Sequence, residues 1–267
     1  MNNPILLCVD RNPFGDIEKL VSVIAGLGFS GMEWHEAGAR ETWSDPDVAA
    51  VIRAAARKNE LVCQYHAPYD DAFDLARDEG QLRSPDSVAL VLRHALDRAE
   101  RLGARLVNVH LGTCPPDTDR AEALRTVMEG IRLAVTDLEN RRILLALENN
   151  ADVNFESPLG DRPEDFDWLL ANIDSPWVGQ TIDIGHANIG DRIDAFLGRS
   201  LDRLISMHLH DNLGKTDDHR PFGGGNIAWE RVFSRISAAC YSGPFVLEFF
   251  TEGEGYLRAI DKIRGHN

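Results

Sequence analysis

No stretch of this chain approaches the ~18 consecutive apolar residues that a membrane-spanning helix needs. The opening segment, MNNPILLCVDRNPF, has no basic leader, and its apolar run covers only Ile5 to Val9. A cytoplasmic, reduced protein is therefore expected, with no membrane partner. Cysteine is sparse: Cys8, Cys63, Cys114 and Cys240 make no CxxC pair and no other zinc-like spacing. Cys8 and Cys63 fall in apolar runs and are expected to be small core residues; Cys114 stands just past His110. Positive charge is also scarce, with 28 Lys and Arg against 43 Asp and Glu, a net of −15. That balance argues against tight, non-specific binding of nucleic acid, which depends on clustered positive charge, and fits a solvated acidic surface. Phosphate-cradling signatures are missing too. No GxGxxG follows the first apolar run, and Gly223-Gly224-Gly225 is a loop turn late in the chain.

What is present is a regular alternation of strand and helix patterns. Strands are expected at 5–9, 31–34, 61–66, 106–110, 143–148, 178–183, 204–208 and 244–248. Helical patterns lie between them, near 16–27, 46–59, 85–102, 119–139, 163–172, 190–199, 228–240 and 254–264. Asp45-Pro46 and Ser84-Pro85 each place a capping side chain before a proline at the first helical position. Gly28 and Gly103 stand where a left-handed residue closes a helix. Val88, Val91, Leu92, Ala95, Leu96, Ala99 and Leu102 recur at helical spacing and define an inward face. The strands read as continuous apolar runs, as they should when covered on both faces. At 267 residues and without a linker-like break, residues 1–267 suit one α/β domain, a single (β/α)8 TIM barrel of about 250 residues.

Six of the apolar runs end on a residue that can ligate a metal: His66, His110, Glu148, Asp183, His208 and Glu248. Only strand ends and the loops after them reach a common point at one mouth of a parallel barrel, so these positions build a ring of ligands. Glu148 and Glu248 carry particular weight, because a carboxylate that ends an apolar strand is costly unless paired or metallated. DIGHAN adds His186 three residues beyond Asp183, and KTDDHRP adds Asp217 and His219 in the long loop after His208. Histidine mixed with carboxylate suits Zn, Mn, Fe or Co better than Mg or Ca. Nine ligands exceed the needs of one ion, so one to three are expected. His210 and Asp211 read as spares, with His210 expected to turn away from His208. Asn149 and Asn150 are expected to hold loop geometry around the ligands.

The segments HAPY (66–69), LGARLVNVHLG (102–112), LEN (147–149), DIGHAN (183–188), HLHDN (208–212), the D-x-H and Gly-rich turn (217–225) and GPFVLE (243–248) carry a resemblance over nearly the full length. The chain resembles the xylose-isomerase-like TIM-barrel superfamily, which includes sugar and sugar-phosphate isomerases and epimerases and also endonuclease IV. In the isomerase and epimerase branch, the resemblance implies one ion on Glu148, Asp183, His208 and Glu248. Glu148 and Glu248 then act as proton acceptor and donor through an enediolate, on a sugar or sugar phosphate. It further implies His186 and Arg220 as residues that orient substrate oxygens, with Lys215 meeting a phosphate. Trp34, Phe73 and Trp229 are candidates for an apolar pocket wall. In endonuclease IV, residues matching all nine positions hold three zinc ions for phosphodiester hydrolysis, and Arg40, Trp43 and Tyr69 fall where that enzyme probes DNA. Here GGG replaces the Gly-Glu-Gly usual in that branch. Barrels of this kind also often pair through outer helices or loops, so a homo-oligomer is compatible with the reading.

Overall fold

The computed structural model describes residues 3–36, 43–151, 156–199 and 201–265; Arg40 lies outside them. Eight parallel strands close into a barrel: β1 (Ile5–Val9), β2 (Gly31–His35), β3 (Val62–His66), β6 (Leu106–His110), β7 (Leu144–Glu148), β8 (Val178–Asp183), β9 (Leu204–Leu209) and β10 (Phe245–Leu247). They follow one another in chain order, and β10 closes on β1 through Ile5↔Phe245 to Leu7↔Leu247. Two further strands, β4 (Arg77–Asp78) and β5 (Gln81–Leu82), form a small antiparallel hairpin in the loop after β3, which the apolar pattern of the sequence does not announce.

The helices are α1 (Ile17–Gly26), α2 (Pro46–Lys58), α3 (Pro85–Leu102), α4 (Arg120–Arg141), α5 (Pro163–Ile173), α6 (Ile184–Asn188), α7 (Ile193–Leu197), α8 (Trp229–Ala238) and α9 (Gly253–Arg264). Local chemistry explains their limits. Asp45 accepts from the amides of Asp47 and Val48, and Ser84 from that of Ser87, so α2 and α3 begin with capped, proline-led turns. Gly103 closes α3 at φ 72°, in the left-handed region that glycine enters at no steric cost. The seven apolar residues of the α3 stripe are all buried.

One expected helix differs. In place of a helix over 190–199, the chain forms α6 immediately after β8 and then α7. The Asp183 carboxylate accepts from the His186 amide and starts α6 at the strand tip. The positive φ of Gly190 and Asp191 then breaks the path between the two helices.

The large apolar core lies between barrel and helices, whereas Leu6, Cys8 and Val246 form a separate small cluster. Glu33, Gln64, Asn108, Thr181 and Ser206, each on a barrel strand, are also buried. The side chains of alternate strand residues point into the barrel, so much of its lumen is polar.

Candidate active site

Barrel closure brings the strand tips together. His66, His110, Glu148 and Asp183 are the last residues of their strands, His208 is the penultimate residue of β9, and Glu248 directly follows β10. His110 and Glu148 are register partners, as are Asp183 and His208. At the centre, His208 Nδ1 lies 3.2 Å from Glu148 Oε1, 3.1 Å from Glu248 Oε2 and 3.9 Å from Asp183 Oδ2. Ligand atoms of Glu148, Asp183, His208 and Glu248 all lie within 4.8 Å of one another. A second group, His66, His110 and Glu148, shares Glu148 with this ring; a third joins His186, His210, Asp217 and His219.

Three imidazoles are tethered in the same way. His66 Nδ1–H donates to the Ala67 carbonyl at 2.8 Å, His186 Nδ1–H to the Asn149 carbonyl at 2.9 Å, and His219 Nδ1–H to the Glu248 carbonyl at 2.6 Å. A carbonyl can only accept, so each bond fixes the tautomer and leaves Nε2 facing a carboxylate. Those Nε2 atoms approach Glu148 at 3.0 Å, and Asp217 at 3.3 Å and 3.1 Å. Ring N–H groups anchored to backbone carbonyls are the usual support of metal-ligating histidine.

The electrostatics point the same way. Burial opposes ionisation of Glu148 and Glu248, but His208 outweighs it in both and holds each carboxyl well below the usual range. Burial likewise opposes charge on His208 and His186, yet the facing carboxylates hold both well above an ordinary histidine. His219 is carried up to about 10 against its burial, chiefly by the hydrogen bond with Asp217. Glu148 Oε1 and Asp183 Oδ2 are buried with no aligned hydrogen-bond donor. Carboxylate oxygens left in that state in a protein interior call for a cation. The residues thus fit a divalent metal, by donor type and by the orphaned oxygens.

Asn149 splints the site. Its side chain donates to the Asp183 carbonyl and accepts from the Asp183 amide, at 2.9 Å and 2.7 Å. Asn150 donates to the Tyr69 hydroxyl at 2.7 Å, and the Tyr69 ring lies 4.4 Å from that of His110. Asp211 organises the Gly-rich loop: its two oxygens accept from the amides of Asn212, Gly223 and Ile227 and from Trp229 Nε1.

Other candidates stand elsewhere. The Arg220 guanidinium binds Asp218 and the Gly224 carbonyl, and Lys215 is exposed in the same loop. Trp34 and Trp43 pack on each other, fully buried, and Trp229 packs against Phe222. Phe73 is buried beneath Arg98. Cys114 donates to the Thr118 carbonyl, away from the ligands.

Four residues read otherwise, or passed over, in the sequence belong here. His210, expected to turn away, is fully buried in the third group. Positions two apart in an extended chain share a side, so His208 and His210 face the same mouth. Cys8 is more than filler, since its Sγ lies 3.8 Å from Glu248 Oε1. Glu33, inside the apolar run GMEWH, is fully buried with Oε1 3.0 Å from His208 Nε2. The signal was available, as a lone glutamate between Met32 and Trp34 is costly in a buried strand. Strand β2 also runs one residue past its expected end to His35, whose ring lies 4.2 Å from that of His66.

Sequence comparison aligns the chain with an uncharacterised protein of Methanocaldococcus jannaschii, 30% identical over 194 residues, covering 71% of this chain and 64% of that one. A second relative, from Sinorhizobium fredii, is 28% identical over 172 residues, 62% of this chain; the match spans only 53% of its length. An L-ribulose-5-phosphate 3-epimerase of Escherichia coli is 21% identical over 85% of this chain and 79% of its own. Among solved structures, a D-tagatose 3-epimerase-like protein superposes with a TM-score of 0.80 at 24% identity, covering 98% of this chain and 96% of that one. A D-allulose 3-epimerase from Methylomonas sp. in complex with D-allulose gives 0.78 at 15% identity, over 99% and 97%. An AP endonuclease, family 2, from Brucella melitensis gives 0.75 at 17%, over 94% and 96%. The structural likenesses span both chemistries and speak for the fold alone. The profile described as a xylose isomerase-like TIM barrel matches residues 21–266, and the chain belongs to that family.

Proposed function

We propose that the protein is a divalent-metal-dependent isomerase or epimerase of a sugar or sugar phosphate, working by proton transfer between Glu148 and Glu248. One observation carries this reading: two ionised glutamates from non-neighbouring strands converge on the same His208 nitrogen, at 3.2 and 3.1 Å. An ion held by Glu148, Asp183, His208 and Glu248 supplies Lewis-acid polarisation of a substrate carbonyl. The glutamates do the proton work. One carboxylate removes the proton from the carbon beside the carbonyl; the other, first protonated from solvent, gives that proton to the enediolate, on the opposite face for epimerisation. Glu248 borders a cavity of about 340 Å³, lined also by Cys8, Asp10, Arg11, His35, His219 and Phe250, within the usual span of small-molecule sites of roughly 300–1,000 Å³. Glu148 is fully enclosed, so Glu248 is assigned the exchange of protons with solvent. The relatives named as 3-epimerases make carbon 3 of a ketose the first place to look. His186, Arg220 and, for a phosphorylated substrate, Lys215 are the candidates for orienting substrate oxygens. The test is solvent-deuterium incorporation into ketohexoses and ketopentose phosphates by protein loaded with Mn²⁺ or Co²⁺. Exchange should fall roughly 10²–10⁴-fold in Glu148→Gln and Glu248→Gln; undiminished exchange in both variants removes the assignment.

The alternative is phosphodiester hydrolysis at a multinuclear zinc site. It is favoured by the assembly of all nine ligand residues into adjoining groups. Cleavage of abasic-site DNA by the zinc-loaded protein, abolished in His66→Ala and in His110→Ala, would establish it over the sugar chemistry.

A further inference from the structure

At the mouth of the barrel opposite the clustered ligands, a cavity of about 450 Å³ opens among the strand starts. Val62, Leu106 and Leu144, the first residues of β3, β6 and β7, line it together with Ile205 and Pro244. This floor is apolar, and Val62 is 52% exposed. The volume lies within the roughly 300–1,000 Å³ usual for small organic ligands. Three arginines stand at its rim: Arg53 and Arg57 on α2, and Arg105 just before β6. Elsewhere arginine commonly meets carboxylate, as Arg98 meets Glu36, Arg120 meets Asp165, Arg141 meets Asp97 and Arg235 meets Asp194. Among the described residues no carboxylate pairs with Arg53, Arg57 or Arg105, and Arg105 makes only a long contact, 3.5 Å, to the Arg141 carbonyl. Packing holds Arg53 in place. A Cβ on Gly103 would lie 3.2 Å from its Cγ, so the glycine that closes α3 leaves room for the arginine stem. In a chain of net charge −15, three uncompensated guanidiniums around one apolar cavity select an anion, and the planar fork of arginine matches a carboxylate.

Gln64 marks the inner end of the cavity, which it lines. It stands two residues beyond Val62 on β3, and so on the same side of the strand. Only 7% of it is exposed, and its Oε1 is buried with no hydrogen-bond donor. An amide oxygen in that state is costly unless a ligand supplies the donor. We propose that this cavity binds a small organic carboxylate with an apolar body and a hydroxyl at its far end. The three arginines hold the carboxylate, the side chains of the strand starts cover the body, and Gln64 accepts from the hydroxyl. The site lies at the other end of the strands from Glu148 and Glu248, so the proposal stands apart from the sugar chemistry.

The experiment measures binding of para-hydroxyphenylacetate to the full chain by isothermal calorimetry, beside phenylacetate, tyrosol (the alcohol of the same skeleton) and inorganic phosphate. The hydroxy acid should bind saturably. Phenylacetate, which leaves Gln64 unpaired, should bind about fivefold or more weakly, and tyrosol and phosphate roughly tenfold or more weakly. Arg53 is half-buried and Arg57 exposed, so an Arg53→Gln, Arg57→Gln double variant leaves the barrel interior untouched. It should lose roughly tenfold or more in affinity for the hydroxy acid. Gln64→Leu should bind the two acids equally, a change that a purely structural glutamine would not produce. Absence of saturable binding, unchanged affinity in the arginine variant, phosphate bound as tightly as the hydroxy acid, or a preference for the hydroxyl that survives Gln64→Leu overturns the proposal.

Discussion

Glu33 Oε1 faces His208 Nε2 at 3.0 Å while the opposite nitrogen of the same imidazole faces Glu148 and Glu248. Carboxylates thus flank the ring on both sides, in a fully buried setting. A carboxylate behind a ligating histidine sets its tautomer and raises its basicity. Glu33→Gln is expected to weaken metal binding about 10–100-fold with little change in folding. Competition with a chromophoric chelator measures it, and unchanged affinity would remove Glu33 from the site's support.

Loading metal should release protons. His219 is held up at about 10, against its burial, by Asp217, and the facing carboxylates hold His186 and His208 well above the ordinary range. In the metal-free protein near pH 7 these rings therefore carry protons that a metal must displace. Apparent affinity should rise with pH, by up to about tenfold per pH unit for each proton released. Calorimetry in buffers of different ionisation enthalpy counts those protons directly, and buffer-independent heats would contradict the assignment.

The metal-free protein should lose stability on mild acidification. Burial, followed by the charge of His66, pushes His35 down to about 3; burial dominates at His110, at about 4. Both folded values lie below the unfolded value of about 6.5, so the unfolded chain binds more protons between the two. The contribution is complete above about pH 6.5 and is lost as pH falls toward the folded values. His66, His186, His208 and His219, shifted upward, are protonated in both states only about a unit below 6.5, so nearer 6.5 they oppose the slope and below about 5.5 they leave it nearly unchanged. Two protons correspond to at most about 2.7 kcal/mol per pH unit. Urea unfolding between about pH 5.5 and 5 in the presence of chelator should show a positive slope, much reduced in a His35→Asn, His110→Gln double variant.

Asp211 carries more structure than its place in the sequence suggests. Its four accepted hydrogen bonds gather the start of the loop, the Gly-rich turn and Trp229. Asp211→Ala leaves several of these donors without an acceptor, at a cost of about 1–3 kcal/mol each if they stay buried. A fall in melting temperature measures that loss. Stability equal to wild type would show that water replaces the carboxylate.

The barrel, its eight strands and the six candidate ligand residues gathered at their tips are legible because burial on both faces forces apolar runs. A His or Glu that closes such a run then stands out. Glu33 escapes notice because it lies inside an apolar run and not at its end, and His35 because the apolar pattern stops at Trp34 while the ladder continues one residue further. His210 shares a side with His208, as positions two apart in an extended chain do, which the run-end pattern does not mark. The break between α6 and α7 escaped because Asp183 was read as a ligand only, although its carboxylate also caps the helix. No local pattern marks the splinting by Asn149, which joins groups 34 residues apart in the chain.

The reciprocal pair between Asn149 and the Asp183 backbone, together with the His186 tether on the same residue, makes the tips of β7 and β8 a single stiff joint. Attempts to redirect this scaffold toward a different small molecule would do best to leave that joint intact and vary the rim. Phe14 and Phe250, 40% and 48% exposed, offer side chains there that can be exchanged without loosening the joint.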